Sequence, residues 1–224
     1  MDADQVATLR TLLARSGWLE RARLFGRALR RSTRSPGGLL VVGTPSYEPW
    51  HLTAHLDEEA RLSGVPELVP TLVRWSPPLD APPHLRVGLG RLEAAQRGET
   101  LFVVSSETAP VPLLERVSDA RRGGATILAL GAGDDRELEG LAHDSLAVPG
   151  YLDAAPALGA GFADEAEVAG RMGLLTFDAA QHLVSAAAGE RDASDPHGQR
   201  GRRGARGLRD RVARLLDIVS GPVA

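Results

Sequence analysis

Apolar residues are distributed along the chain with two different periods. Short continuous runs open the segment LLVVGTPS (39–46) and recur at 70–75, 101–104, 125–130 and 145–148. Runs of this length, bounded by Gly, Pro and Ser, read as short strands. Between them the apolar positions fall at helical spacings. The first such segment, 4–31, carries Val6, Leu9, Leu12 and Leu13, then Leu19, Ala22, Leu24, Ala28 and Leu29, with Gly17 dividing it. Further helices are expected at 49–62, 85–97, 112–122, 137–142 and 164–187. Strands alternating with helices, and a strand–helix–strand crossover at 100–130 that returns through Gly123-Gly124, predict a parallel sheet. The expected fold is α/β: a three-layer α/β/α sandwich with a five-stranded parallel sheet and N-terminal helices.

The pattern breaks near residue 189. ERDASDPHGQRGRRGARG lacks an apolar stripe, so 189–207 is expected to be a flexible Arg/Gly-rich linker. Val212, Leu215, Leu216 and Val219 then fall at i, i+3, i+4 and i+7, and 208–224 is expected to hold a short amphipathic helix and a tail. Residues 1–188 form the α/β domain in this division.

Two strand ends carry the candidate chemistry. Gly43, Thr44 and Ser46 follow the first strand, and Ser105, Ser106 and Thr108 follow the third, each just before a helical segment. Small hydroxyl residues and backbone N–H groups at a helix N-terminus receive a phosphate or another anion well. The same hydroxyls could instead cap the following helices.

Composition narrows the options. The 224 residues carry a net charge of −3, which argues against nucleic acid as a partner. All 26 basic residues are Arg, so no lysine Schiff base or P-loop lysine can operate. The absence of cysteine excludes disulfides, thiolate metal sites and thiol nucleophiles. No apolar stretch approaches the roughly 18 residues of a membrane span. Asp2 and Asp4, with no apolar core segment behind them, argue against a secretory signal. A cytoplasmic location is expected.

Two His/carboxylate pairs stand at i, i+4: His55 with Glu59, and Asp178 with His182. That spacing lets both side chains of a pair reach one cation. It equally describes a surface ion pair at His55 and Glu59, and a hydrogen-bonded core or interface histidine at His182.

Taken in order, these landmarks resemble the sugar isomerase (SIS) domain family of phosphosugar isomerases and phosphosugar-binding regulators. The resemblance rests on Gly43-Thr44-Pro45-Ser46, Ser105-Ser106-Glu107-Thr108, the strand from Gly124 to Leu130, and Leu141-Ala142-His143-Asp144. It implies a small-molecule phosphosugar as partner and a homodimer or homotetramer. AHLDEEARLSG (54–64) and FDAAQHLVSAA (177–187) are similar to two helices of the phosphoheptose isomerases. That likeness implies a divalent metal such as zinc, held by His55, Glu59 and His182; the family's Gln ligand is unmatched at Leu174, and Asp178 or Gln181 could take its place. It also implies aldose–ketose isomerisation, with Glu59 or Glu58 as base and His182 moving the second proton. A non-catalytic metabolite-binding or assembly module is the alternative. The chain departs from the phosphate-loop pattern of the family. The central Gly of Ser-x-Ser-Gly-x-Thr is missing and the loop is shorter. Glu107 stands where an anion would approach, although related loops with a Glu before the Thr exist, and Pro45 removes an N–H from the first loop.

Overall fold

The computed structural model describes residues 17–131, 135–148 and 177–190. Its strands are β1 (Leu39–Val42), β2 (Pro70–Val73), β3 (Thr100–Ser105), β4 (Thr126–Gly131) and β5 (Asp144–Ala147). Its α-helices are α1 (Trp18–Ser32), α2 (Trp50–Ser63), α3 (Gly90–Glu93), α4 (Val111–Arg122), α5 (Arg136–Leu141) and α6 (Phe177–Gly189). The five strands are all parallel and lie in the order β2-β1-β3-β4-β5. The expected five-stranded sandwich is therefore present.

Period-2 alternation within the strands divides the core in two. Leu39 and Val41, Phe102 and Val104, and Leu128 and Leu130 face α1, α2 and α6. Leu40 and Val42, Leu101 and Val103, and Ile127 and Ala129 face α3, α4 and α5. Every residue of β1 and β3 is buried, which is why those segments read as unbroken apolar runs rather than alternating ones.

The same division creates the one place where the chain reverses direction across the sheet. After β1 the chain turns into α2 on one face, and after β3 it turns into α4 on the other. The carboxyl ends of these neighbouring strands are therefore the topological switch point of the sheet.

Helix α6 packs on α1 and α2 and closes the first face. The α1–α6 crossing is tight: a Cβ on Gly26 would stand 2.7 Å from the Ala187 carbonyl carbon, the Ala187 Cβ and the Ala188 nitrogen. Only glycine allows that approach.

One sequence expectation changes. The helix expected over 85–97 is reduced to the single turn α3, preceded by a 3₁₀ turn at Pro83–Leu85. Arg74 at the end of β2 donates its N–H to the Val87 carbonyl at 2.8 Å and bridges Gly88, drawing this stretch into an extended contact with the sheet. A tertiary hydrogen bond thus overrides a helical pattern already weakened by Gly88 and Gly90. The remainder of the expected N-terminal helix (4–16), the first half of the last long helix (164–176), most of the linker and the amphipathic helix at 208–219 lie outside the described residues. Among the described residues no helix is long and apolar enough to cross a membrane.

Candidate functional site

The loop after β1 folds back on itself. Thr44 N–H donates to the Tyr47 carbonyl at 3.0 Å, and Tyr47 N–H donates to the Thr44 carbonyl at 3.1 Å. A Cβ at Gly43 would run into the Tyr47 carbonyl, so Gly43 serves the fold-back itself. The Trp75 indole N–H donates to the Gly43 carbonyl at 2.9 Å and pins the loop to the end of β2. Within it, the buried Thr44 hydroxyl lies 3.1 Å from the Ser46 hydroxyl.

The loop after β3 comes to meet it. The Ser46 hydroxyl donates a short hydrogen bond to the Glu107 carboxylate across 61 residues of sequence. That bond, with a second from Thr44, holds the exposed Glu107 carboxyl below its ordinary pKa, outweighing a small opposing effect of desolvation. Buried Ser105 shapes the turn, its hydroxyl donating to the Glu107 carbonyl and accepting from the Glu107 N–H at 3.3 Å. Ser106 is half-buried and Thr108 exposed on the same loop. None of these hydroxyls caps α4, whose N-cap is Pro110 and which has no side-chain capping bond. The loop's far end is tied by Asp135, which accepts from Ala109 N–H at 2.7 Å and caps α5 through Leu138 N–H at 2.9 Å.

A second group of side chains adjoins the first loop through Tyr47. Its ring packs edge-on against Phe177, with centroids 5.7 Å apart. Its hydroxyl accepts from Gln181 Nε2 at 2.6 Å and donates to the Asp178 carboxylate at 3.3 Å. Gln181 is 1% exposed, and its buried Oε1 has no hydrogen-bond partner. The next residue, His182, packs its imidazole on that of His55 from α2, with centroids 3.7 Å apart and ring planes at 52°. His51 stands one turn before His55, 6.4 Å away ring to ring. Burial lowers the pKa of His55, helped by neighbouring His51 and opposed by Glu58. Burial likewise lowers that of His182, helped by His55 and His51 and opposed by Asp178 and Glu58. Both imidazoles are therefore neutral at pH 7.

The fold thus brings His55 and His182 together, and brings Thr44 and Ser46 to the loop that carries Ser105, Ser106 and Thr108. The metal set of His55, Glu59, Asp178 and His182 does not fit a zinc ion. Two imidazoles on one tetrahedral zinc, each with its nitrogen about 2 Å from the metal, keep their ring centroids roughly 5 Å apart. The His55 and His182 rings are closer than that. Asp178 is engaged with Tyr47 and Gln181. The carboxylate facing His55 is the exposed Glu58, at 3.8 Å, while Glu59 lies half-buried one residue on. Among the described residues no group of three or more His, Asp or Glu side chains is placed to hold a metal ion.

Tyr47, His51 and Asp135 join the site without having been expected from the sequence. Tyr47 and His51 do carry a local signal, since one follows Ser46 directly and the other precedes His55 by one helical turn. Asp135 had only its position before an acidic helix start.

No protein-family model matches the chain, and no curated protein matches it in sequence. Among solved structures, a candidate phosphosugar isomerase from Silicibacter pomeroyi aligns at a TM-score of 0.51 and 16% identity. The alignment covers 96% of this chain and 53% of that protein, so the chain spans about half its length. The Vibrio vulnificus NanR protein complexed with ManNAc-6P aligns at a TM-score of 0.45 and 12% identity, over 96% of this chain and 67% of that one. The sugar isomerase domain of an RpiR transcription factor from Sphaerobacter thermophilus gives 0.45 and 12%, over 96% and 93%. With its five parallel strands in the order β2-β1-β3-β4-β5 and hydroxyl-bearing loops after β1 and β3, the chain has an SIS-like fold.

Proposed function

We propose that this chain is a carbohydrate-recognition domain of the SIS type, holding a phosphorylated sugar or related carbohydrate derivative across the loops that follow β1 and β3. The observation that carries the reading is the meeting of Thr44 and Ser46 from one loop with the Ser105–Thr108 loop at the topological switch point. A sugar offers donors and acceptors in close succession, and a rim of hydroxyls and carboxylate answers both. Binding of this kind needs no metal.

Isothermal titration with hexoses, hexosamines and their 6-phosphates tests the reading. Binding is expected for the wild type and is expected to weaken about three- to tenfold in Ser46→Ala, the effect of one neutral hydrogen bond. No saturable heat from any of these ligands, or the same affinity in Ser46→Ala, would reject it.

The second reading is an aldose–ketose isomerase, and the His55–His182 contact favours it. The neutral imidazole of His55 or His182 can remove the proton on the carbon beside a sugar carbonyl. The electron pair released forms the carbon–carbon double bond of the enediol as the carbonyl oxygen takes up a proton. The proton is then returned to the former carbonyl carbon while the other hydroxyl gives up its proton and becomes the carbonyl. Of the residues named for this chemistry, His182 follows directly on Gln181, whose side chain bonds Tyr47. Glu58 is exposed and faces His55. Interconversion of a bound ketose and aldose, abolished in His182→Ala with binding retained, would establish this reading; turnover unaffected by that substitution would exclude it.

A further inference from the structure

Several of the donors on the two loops at the switch point are already engaged. Thr44 and Tyr47 N–H groups are bonded to each other's carbonyls, and Pro45 has none. The N–H groups of Glu107 and Ala109 go to Ser105 Oγ and Asp135. The Ser46 and Thr44 hydroxyls are turned to the Glu107 carboxylate. A phosphate dianion arriving here would have to take those hydroxyls from an anion already holding them, and then sit beside it.

The arginine beside the first loop among the described residues is already engaged. Arg74, at the end of β2, is held by Glu48, with Nε at 3.0 and 3.2 Å from the two carboxylate oxygens and Nη2 at 3.0 Å from one. Its guanidinium also lies 4.7 Å over the Trp50 ring. Acceptors, in contrast, stand on both sides of the first loop. Glu107 lies on one side, while exposed Asp178 and the unpartnered, buried Gln181 Oε1 lie on the other, linked to the loop through Tyr47.

We propose that Glu107 sets the ligand class of this site, selecting a carbohydrate that presents hydroxyl or ammonium donors where a phosphosugar would present its phosphate. The assignment rests on the carbohydrate reading above and chooses between its two ligand classes. A carboxylate held from behind by Ser46 and Thr44 keeps its outer lone pairs for a pair of sugar hydroxyls or for an amine. It also repels a phosphate, so one residue supplies both attraction and exclusion.

The test is a matched series of glucose, glucosamine and their 6-phosphates, titrated calorimetrically into full-length wild type and Glu107→Gln. Glutamine keeps the size and an acceptor oxygen but removes the charge, and circular dichroism checks that the fold is retained. Wild type is expected to bind each unphosphorylated sugar at least tenfold more tightly than its 6-phosphate. In Glu107→Gln that ratio is expected to fall by about tenfold or to invert. Ser46→Ala, which frees the carboxylate from its holder, is expected to reduce the ratio by a smaller factor. Tighter binding of the 6-phosphates by wild type, or a ratio untouched by Glu107→Gln, overturns the assignment while leaving carbohydrate binding in place. Absence of binding to every member overturns the carbohydrate reading and the assignment together.

Discussion

Replacing Gly26 by Ala probes the contact that places α6, and with it Gln181 and His182, against the rest of the domain. The added Cβ would lie 2.7 Å from the Ala187 carbonyl carbon, the Ala187 Cβ and the Ala188 nitrogen. None of those atoms can be moved by a change of rotamer, so the helices themselves must separate. Overpacking in a rigid core costs about 1–3 kcal/mol, and a clash with backbone belongs at the upper end. Alanine recovers about 1 kcal/mol as a better helix former. The net destabilisation is therefore about 2 kcal/mol, or roughly 4–8 °C in Tm for a domain of this size. Gly140 in α5 supplies the control, because a Cβ there meets nothing within 4 Å. The same substitution at Gly140 should stabilise by up to about 1 kcal/mol. Thermal and urea unfolding followed by circular dichroism on both variants reads the difference directly. Gly26→Ala melting at or above the wild-type temperature would refute the close α1–α6 crossing, whatever Gly140→Ala does.

Two further measurements follow from the site. Asp135→Ala removes an N-cap, worth about 1 kcal/mol, and leaves the buried Ala109 N–H without its partner, worth about 1–3 kcal/mol more. A urea midpoint corresponding to a loss of 2–4 kcal/mol is expected; a loss below about 0.5 kcal/mol would mean that Asp135 does not join the loop to α5. The histidine pair predicts a pH dependence. Burial lowers both folded-state pKa values, so the unfolded chain takes up protons first as pH falls. The contribution of His55 and His182 to stability is fully present above about 6.5, the ordinary imidazole value, and is lost as pH drops from there through the folded-state values. Unfolding midpoints between pH 8 and pH 5 should fall less steeply in the His55→Gln/His182→Gln double variant than in wild type, and equal slopes would contradict the burial of the pair.

The strands and most helices were legible locally because the forces that make them are local. A run such as Leu39–Val42, flanked by Pro36-Gly37-Gly38 and by Gly43, has few alternatives to a buried strand once a sheet exists. The hydroxyl residues at the ends of β1 and β3 were visible for the same reason, since strand ends and small polar residues can be read off directly. Where the reading failed, a distant partner decided. The pattern at 85–97 is helical in isolation, yet the Arg74–Val87 bond pulls its first part against the sheet.

The site shows the same division. Helical spacing paired His55 with Glu59 and Asp178 with His182 as expectations, but His55 faces Glu58 instead and Asp178 meets Tyr47 and Gln181. Nothing local could say that α6 would lie on α2, so only the tertiary structure could bring His182 onto His55 and turn two pairs expected to be ligands into a packed imidazole contact. Glu107 stood out in the sequence as an ill-placed carboxylate. That it is held by Ser46 and Thr44 follows from β1 and β3 being neighbours in the sheet, a fact of chain topology that short-range sequence pattern does not contain. The sequence by itself determined the elements, their order and the residue types available for recognition. The packing of helices from opposite ends of the chain decided which of those residues meet, because contacts between distant segments depend on the shape of the whole core.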